Sequence, residues 1–169
     1  MKIQIRDSFD VAPDTFWDAI FFNPEFQRRM YEEALASESV DVHPLETNAD
    51  GERTRRLVFT QKLDAPAAIR KLAGDLTTME ERGSFDPKSK RWRFAMIPDR
   101  MADKIRITGE TWVEPSGDGK IDRVCSIELS VSIFGIGSLV EKFMAGATTD
   151  SYAKQTRFTR AFIAENKLV

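Results

Sequence analysis

Few residues in this sequence combine the type and the spacing that chemistry needs. The stretch SVSIFGIGSLVEKFMAG, Ser130 to Gly146, sets Gly135 and Gly137 either side of Ile136, between an alternating run and an amphipathic one. A glycine-rich turn at a helix N-terminus can cradle a phosphate, usually after a buried parallel strand and with a third glycine or a Gly-Lys-Ser/Thr ending. Here the preceding run is amphipathic, no third glycine stands in the dinucleotide position and no lysine in the P-loop position. The glycines therefore read as a strand-to-helix turn, with Ser138 available as a helix cap.

The other reactive types are sparse. His43 is the only histidine, which excludes a two-histidine metal site and leaves any Ser–His pair to one residue. It stands beside Pro44 near a strand end and reads as a surface residue. Cys125, the only cysteine, permits no disulfide and no cysteine-rich zinc site. It falls on the inward parity of a strand, where apolar surroundings raise a thiol pKa and make it inert. Glu80 and Glu81 flank a strand, Glu110 precedes Thr111-Trp112, and Glu128 lies on a polar strand face. No spacing among them compels an acid–base pair, so no catalytic residue, metal ligand or cofactor site is assigned. Arg28-Arg29, Arg53-Arg55-Arg56 and Lys88-Lys90-Arg91-Arg93 read as solvated faces. Convergence of these clusters on one rim would make them a peripheral contact for an anionic membrane surface.

The bulk numbers bound the partners. The chain has 169 residues, 41% hydrophobic and 31% charged, with net charge -2, so the basic footprint of a nucleic-acid binder is missing. MKIQIRDSFD alternates where a signal peptide would run apolar, and no window approaches the ~18 consecutive apolar residues of a transmembrane segment. These features predict one soluble domain over residues 1–169, cytoplasmic, with no nucleic-acid partner.

The elements that must position any site follow from periodicity. Ile3, Ile5, Phe9 and Val11 share one parity and predict a strand. Pro13 opens a helix carrying Phe16, Trp17, Ile20 and Phe21, which Asn23-Pro24 breaks; a second short helix carries Phe26 and Met30. From about Ser37 to Ile133 strand-like runs dominate, with Asp50-Gly51 suited to a tight turn. Cys125, Ile127, Leu129, Val131 and Ile133 oppose Ser126, Glu128, Ser130 and Ser132, as in an antiparallel strand with one packed face. After Gly137 the period is helical, and Leu139, Val140, Phe143, Met144, Ala147, Phe158 and Phe162 form one apolar stripe. A helix of some 25 residues is about 38 Å long and needs a sheet face to lie on. The plan is α+β, with two short helices after the first strand and one long helix at the end.

Three segments carry a likeness: FDVAPDTFWDAI, then APAAIRKLAG with MEERGSFDPKSKRWRF and RITGETWVEP, then SVSIFGIGSLVEKFM. In this order the chain resembles the START-like, helix-grip superfamily, nearest a bacterial branch to which no function is assigned. The resemblance implies a curved antiparallel sheet wrapped around the long C-terminal helix, with an apolar cavity between them. Members bind or transfer lipids and sterols, cyclise polyketides or activate chaperones, so the fold alone does not settle function.

The resemblance and the apolar faces together predict binding of a hydrophobic small molecule, lipid or sterol-like. Trp17, Phe59, Trp92, Phe94, Trp112, Leu139, Phe143 and Met144 are the expected wall. Pro66 to Gly74, with Ile69 and Leu72, reads as a short helix that either connects strands or gates the cavity. Two other readings stay open: a cyclase or aromatase-like enzyme in the same cavity, and a protein-binding module like the chaperone activators. The enzyme needs a buried carboxylate beside a tyrosine or arginine; the module needs a filled core and an exposed apolar patch.

Overall fold

In the computed structural model, which describes residues 1–169, strand β1 (Lys2–Phe9) alternates in burial as its sequence alternates in polarity. Helix α1 follows, an α-turn at Pro13–Thr15 that continues as a π-helix over Phe16–Phe21. Asn23 ends it and caps the next helix, its side chain accepting from the amides of Glu25 and Phe26 at 2.9 and 3.2 Å. Helix α2 is α-helical over Pro24–Arg29 and π-helical over Met30–Ala34. The strands are β2 (Ser39–Val42), β3 (Glu46–Thr47), β4 (Arg53–Lys62), β5 (Leu76–Asp86), β6 (Arg91–Pro98), β7 (Ile105–Gly117) and β8 (Lys120–Val131). Helix α3 (Ala67–Ala73) joins β4 to β5, and α4 (Gly137–Glu165) closes the chain.

All strand pairings are antiparallel, in the order β1-β8-β7-β6-β5-β4-β2, with β3 beside β4. The curved sheet grips α4, which packs on β1, β8 and α2. This is the helix-grip α+β fold. At 29 residues α4 is about 44 Å long at ~1.5 Å per residue, long enough to lie over a strand and the helices beyond it.

The turn into α4 is a hinge, as its glycines suggest. Gly135 sits at φ +81°, a left-handed conformation that glycine adopts without steric cost. The expected cap is different: Ile136 occupies the N-cap position and Ser138 lies inside the first turn without capping it. Glu141 ties the helix start to the sheet instead, its Oε1 accepting from the Val131 amide at 3.0 Å.

Two glycines shape the inner face of the sheet. A Cβ on Gly83 would lie 2.1 Å from Trp92 Cζ2, and one on Gly109 would lie 2.4 Å from Phe94 Cζ. Without those Cβ atoms, both aromatic rings lie flat across neighbouring strands. The core they border is divided. One buried cluster joins Phe9, Phe16, Trp17, Ile20 and Phe26 to Leu57, Trp92 and Phe162; a smaller one holds Ile105, Ile107, Cys125, Ile127 and Leu129. Met79, Phe94 and Met96 touch both clusters, and the space beside them is hollow.

Candidate functional site

Between sheet and α4 lies a chamber of about 980 Å³, lined by the inner faces of β4 to β8, by α1, α2 and α3, and by α4 from Val140 to Thr159. Hydrophobic residues make up 26 of its 46 lining residues, so its character is mainly apolar with a polar minority. Met30, Met79, Met96, Met101 and Met144 give the wall unbranched, polarisable side chains that adapt to an irregular occupant.

The structure brings together five of the eight expected wall residues: Phe59, Trp92, Phe94, Phe143 and Met144 all line the chamber. The other three lie elsewhere. Trp17 is buried in an aromatic cluster, with ring centroids 4.7 Å from Phe85 and 4.9 Å from Phe21, behind the wall. Trp112 points out of the opposite sheet face, because its even parity matches Glu110 and Glu114; Arg91 stacks over its ring at 4.3 Å. Leu139 is 42% exposed, one position round the helix from the buried Val140. Among the expected gate residues, Ile69 and Leu72 line the chamber, while Pro66 is the exposed N-cap of α3. Gly74, at φ +85°, ends that helix.

The polar minority is concentrated at one place. On β4 and β5, Arg55 pairs with Gly83 and Leu57 with Glu81, so Arg55 and Glu81 are diagonal neighbours on the inner face. Arg55 Nη2 donates to Glu81 Oε1 at 2.8 Å, with side chains only 5% and 13% exposed. Arg55 Nη1 donates to the Phe21 carbonyl at 2.7 Å, and its guanidinium lies 4.8 and 5.0 Å from the Phe21 and Trp92 ring centroids. The same carbonyl, at the C-terminal end of α1, accepts from Gln27 Nε2 at 2.8 Å. That bond fixes the amide, since a carbonyl can only accept, and leaves Gln27 Oε1 as a free acceptor. Tyr31, four residues on along α2, is buried beside this group. Burial pushes its phenol well up, the Glu81 carboxylate adds to the rise and Arg55 opposes it.

A second buried set lies under α4. Arg123 Nη2 donates to Asp7 Oδ2 at 2.5 Å and to Thr156 Oγ1 at 3.1 Å, with its guanidinium between the rings of Phe9 and Tyr152. The Tyr152 hydroxyl and Cys125 Sγ are 3.0 Å apart, and Thr111 Oγ1 donates to the same sulfur at 3.4 Å. Burial pushes both the Cys125 thiol and the Tyr152 phenol up, as expected of groups held neutral. No three His, Cys, Asp or Glu residues gather as a metal site requires.

The reading of Arg53-Arg55-Arg56 as a solvated face is thus corrected at Arg55. Its parity, shared with Leu57 and Phe59, was the signal. Glu81 shares parity with Met79 and Phe85, and Arg123 with Cys125 and Ile127. Glu110 lies on the outer face, held low mainly by its hydrogen bond from Arg93, with Arg91 alongside. His43 remains outside, with Asp41 at 3.2 Å and Arg56 at 2.8 Å.

A sheet curved around a long C-terminal helix, with a chamber between them, defines the START-like helix-grip class, and solved structures of that class match closely in shape. The Zhui aromatase/cyclase from Streptomyces sp. R1128 superposes with a TM-score of 0.68 at 10% identity, covering 100% of this chain and 96% of its own. A START superfamily protein from Mycobacterium smegmatis gives 0.63 at 12% identity, covering 96% and 98%. Norcoclaurine synthase from Thalictrum flavum gives 0.60 at 12% identity, covering 94% and 86%. At such identities the likeness is one of fold. Residues 4–163 match the family described as protein of unknown function (DUF2505), and the chain belongs to that family. No curated protein matches the sequence.

Proposed function

We propose that this protein encloses a hydrophobic small molecule, lipid or sterol-like, in the chamber between sheet and α4. The whole chain would act as one START-like ligand-binding domain, in the cytoplasm. The observation that carries the reading is the chamber of about 980 Å³ with its mainly apolar wall. An occupant with about 300 Å² of apolar surface would gain on the order of 7 kcal/mol from leaving water, at ~25 cal/mol per Å², before the cost of its immobilisation. Helix α3 is the proposed gate. It buries only Ile69 of its own residues and leaves Leu72 42% exposed, so little packing opposes its displacement. Native mass spectrometry of the purified protein against a lipid-extract panel tests the reading. Retention of an apolar molecule at one per chain is expected, and retention of none rejects it.

One observation favours a second reading, an enzyme of the cyclase or aromatase kind. Glu81 is a mostly buried carboxylate beside Arg55 and Tyr31, facing the same chamber. A carboxylate can abstract a proton next to a carbonyl while a neutral phenol donates a hydrogen bond to the oxygen that gains charge. Glu81→Gln separates the readings: an enzyme loses turnover of a poly-β-keto substrate, whereas a carrier of purely apolar ligands keeps its affinity. The protein-binding reading requires a filled core and gains nothing from the open chamber.

A further inference from the structure

The enclosing chamber proposed above has a chemical preference that its shape does not reveal. Every cation buried on its lining is already matched by an anion. Arg55 is paired with Glu81 at 2.8 Å and Arg123 with Asp7 at 2.5 Å. All other charged residues on the lining are exposed to solvent. A carboxylate or phosphate carried past the exposed Lys62, Arg100, Lys142 and Lys154 into the buried part would therefore meet no free positive charge to offset its loss of hydration.

In the polar group formed by β4, β5 and α2, the atoms open to the chamber and without a protein partner are mostly acceptors, whereas the unpaired Nε atoms of Arg55 and Arg123 are buried. Glu81 Oε1 takes the Arg55 hydrogen bond, and no protein donor reaches Oε2. Gln27 uses its amide N–H on Phe21 and leaves Oε1 free. The Tyr31 hydroxyl makes no hydrogen bond within the protein, although the residue is 6% exposed. Because the phenol stays protonated, it offers one donor and can also accept. Gln27 and Tyr31 are i, i+4 neighbours on α2, and all three side chains line the chamber.

We infer that the chamber selects a neutral, hydroxyl-bearing apolar molecule, an alcohol or a phenol, and discriminates against apolar acids. The hydroxyl hydrogen would be donated to Glu81 Oε2 or Gln27 Oε1, and the hydroxyl oxygen would accept from Tyr31. Such a ligand satisfies lining groups that a hydrocarbon leaves unpaired, whereas a carboxylate brings lone pairs against the lone pairs of Glu81 and Gln27. This rests on the enclosing reading and adds the ligand's chemical class to it.

Three fluorescent probes of one shape test the inference on the full chain at pH 7: pyrene, 1-hydroxypyrene and pyrene-1-carboxylate, each titrated by energy transfer from tryptophan. The expected order places 1-hydroxypyrene about tenfold tighter than pyrene, from one or two hydrogen bonds of ordinary net strength, and the carboxylate weakest. Tyr31→Phe removes one of the two bonds and should cut the preference for 1-hydroxypyrene over pyrene to about threefold while leaving pyrene itself unchanged. Glu81→Gln should reverse the discrimination and tighten the carboxylate about tenfold, because Arg55 then lacks its anion. Circular dichroism of both variants checks that each is folded. Equal or tighter binding of pyrene-1-carboxylate by the unaltered protein overturns the inference, as does a Tyr31→Phe variant whose hydroxypyrene preference is undiminished. Binding of pyrene without preference among the three leaves the enclosing chamber standing and rejects only the selectivity. Binding of none rejects the chamber's role and the selectivity with it.

Discussion

Arg55 and Glu81 meet at 2.8 Å on the inner face of the sheet, from adjacent strands and one diagonal step out of register. Gly83, directly opposite Arg55, leaves room for the Trp92 ring beside the guanidinium. The pair thus sits in an aromatic frame, and each partner's stability depends on the other.

Removing one partner strands a buried charge. Glu81→Leu should lower unfolding stability by about 3–5 kcal/mol, the usual result of breaking a buried pair. Arg55→Met with Glu81→Leu together should cost clearly less than the sum of the single changes, since no charge is then left unpaired. Urea denaturation of the four proteins measures this cycle. Additive losses would mean that the two residues act independently.

Gly83 is the most constrained small residue on the inner face. Gly83→Val should destabilise by about 1–3 kcal/mol, the range for overpacking a filled site, because the new side chain must displace the Trp92 ring. Tryptophan emission should shift to the red in the folded variant as Trp92 becomes wetter. An unshifted spectrum with unchanged stability would show that the ring has another place to go.

On the outer face Glu80 accepts hydrogen bonds from Arg82 at 2.6 Å and Arg56 at 2.5 Å, which hold its carboxyl at about 2. The folded state thus keeps Glu80 ionised where the unfolded chain, near pKa ~4.3, begins to protonate it. Its contribution is therefore present above about pH 4.3 and fades as pH falls towards 2. Thermal melts between pH 2.5 and 7 should show Glu80→Gln closing its deficit against the unaltered protein as the solution becomes acid. A deficit constant with pH would assign the effect to packing.

Wall and surface positions on α4 and β7 should respond differently. Phe143→Ala removes a ring from the chamber lining and should weaken pyrene binding several-fold through lost apolar contact. Leu139→Ala and Trp112→Ala lie off the lining and should leave that affinity within about twofold, as expected for sites without shared partners. Tryptophan-to-pyrene titration reads all three, with equal losses counting against the chamber as the binding place.

Helix α3, if it is the gate, should open more often than its neighbours. Hydrogen exchange of the Ile69–Ala73 amides should be faster than in the packed part of α4 and should slow when the chamber is loaded with 1-hydroxypyrene. Exchange in α3 that ignores the probe would move the entrance to another face.

Much of this architecture is legible in the sequence. The parity of Ile3, Ile5 and Phe9, the break at Asn23-Pro24 and the period change at Gly137 each reappear at a boundary of the structure. The chamber is less legible, and the misplaced residues show why. Trp112 belongs to a strand expected to face the centre, but its parity matches Glu110; in a sheet parity decides, and Arg91 covers the ring outside. Trp17 does face inward, but the rings of Phe21, Phe22 and Phe85 fill the space around it. Arg55 and Glu81 carry the inward parity yet look like surface residues, because a charge is buried only when its partner arrives on another strand.

By itself, the sequence determined the order of the elements and the face each presents, because periods of about 3.6 and of 2 are local properties of the backbone. Only the tertiary structure decided how far apart the faces stand. The aromatic cluster of α1 and α2 packs one end of the space between sheet and α4, while Gly83 and Gly109 let Trp92 and Phe94 lie flat against the sheet. The remaining distance is a chamber, and the register of β4 on β5 supplies its buried ion pair. A pattern of polar and apolar residues carries direction along one element; volume and pairing belong to several elements at once.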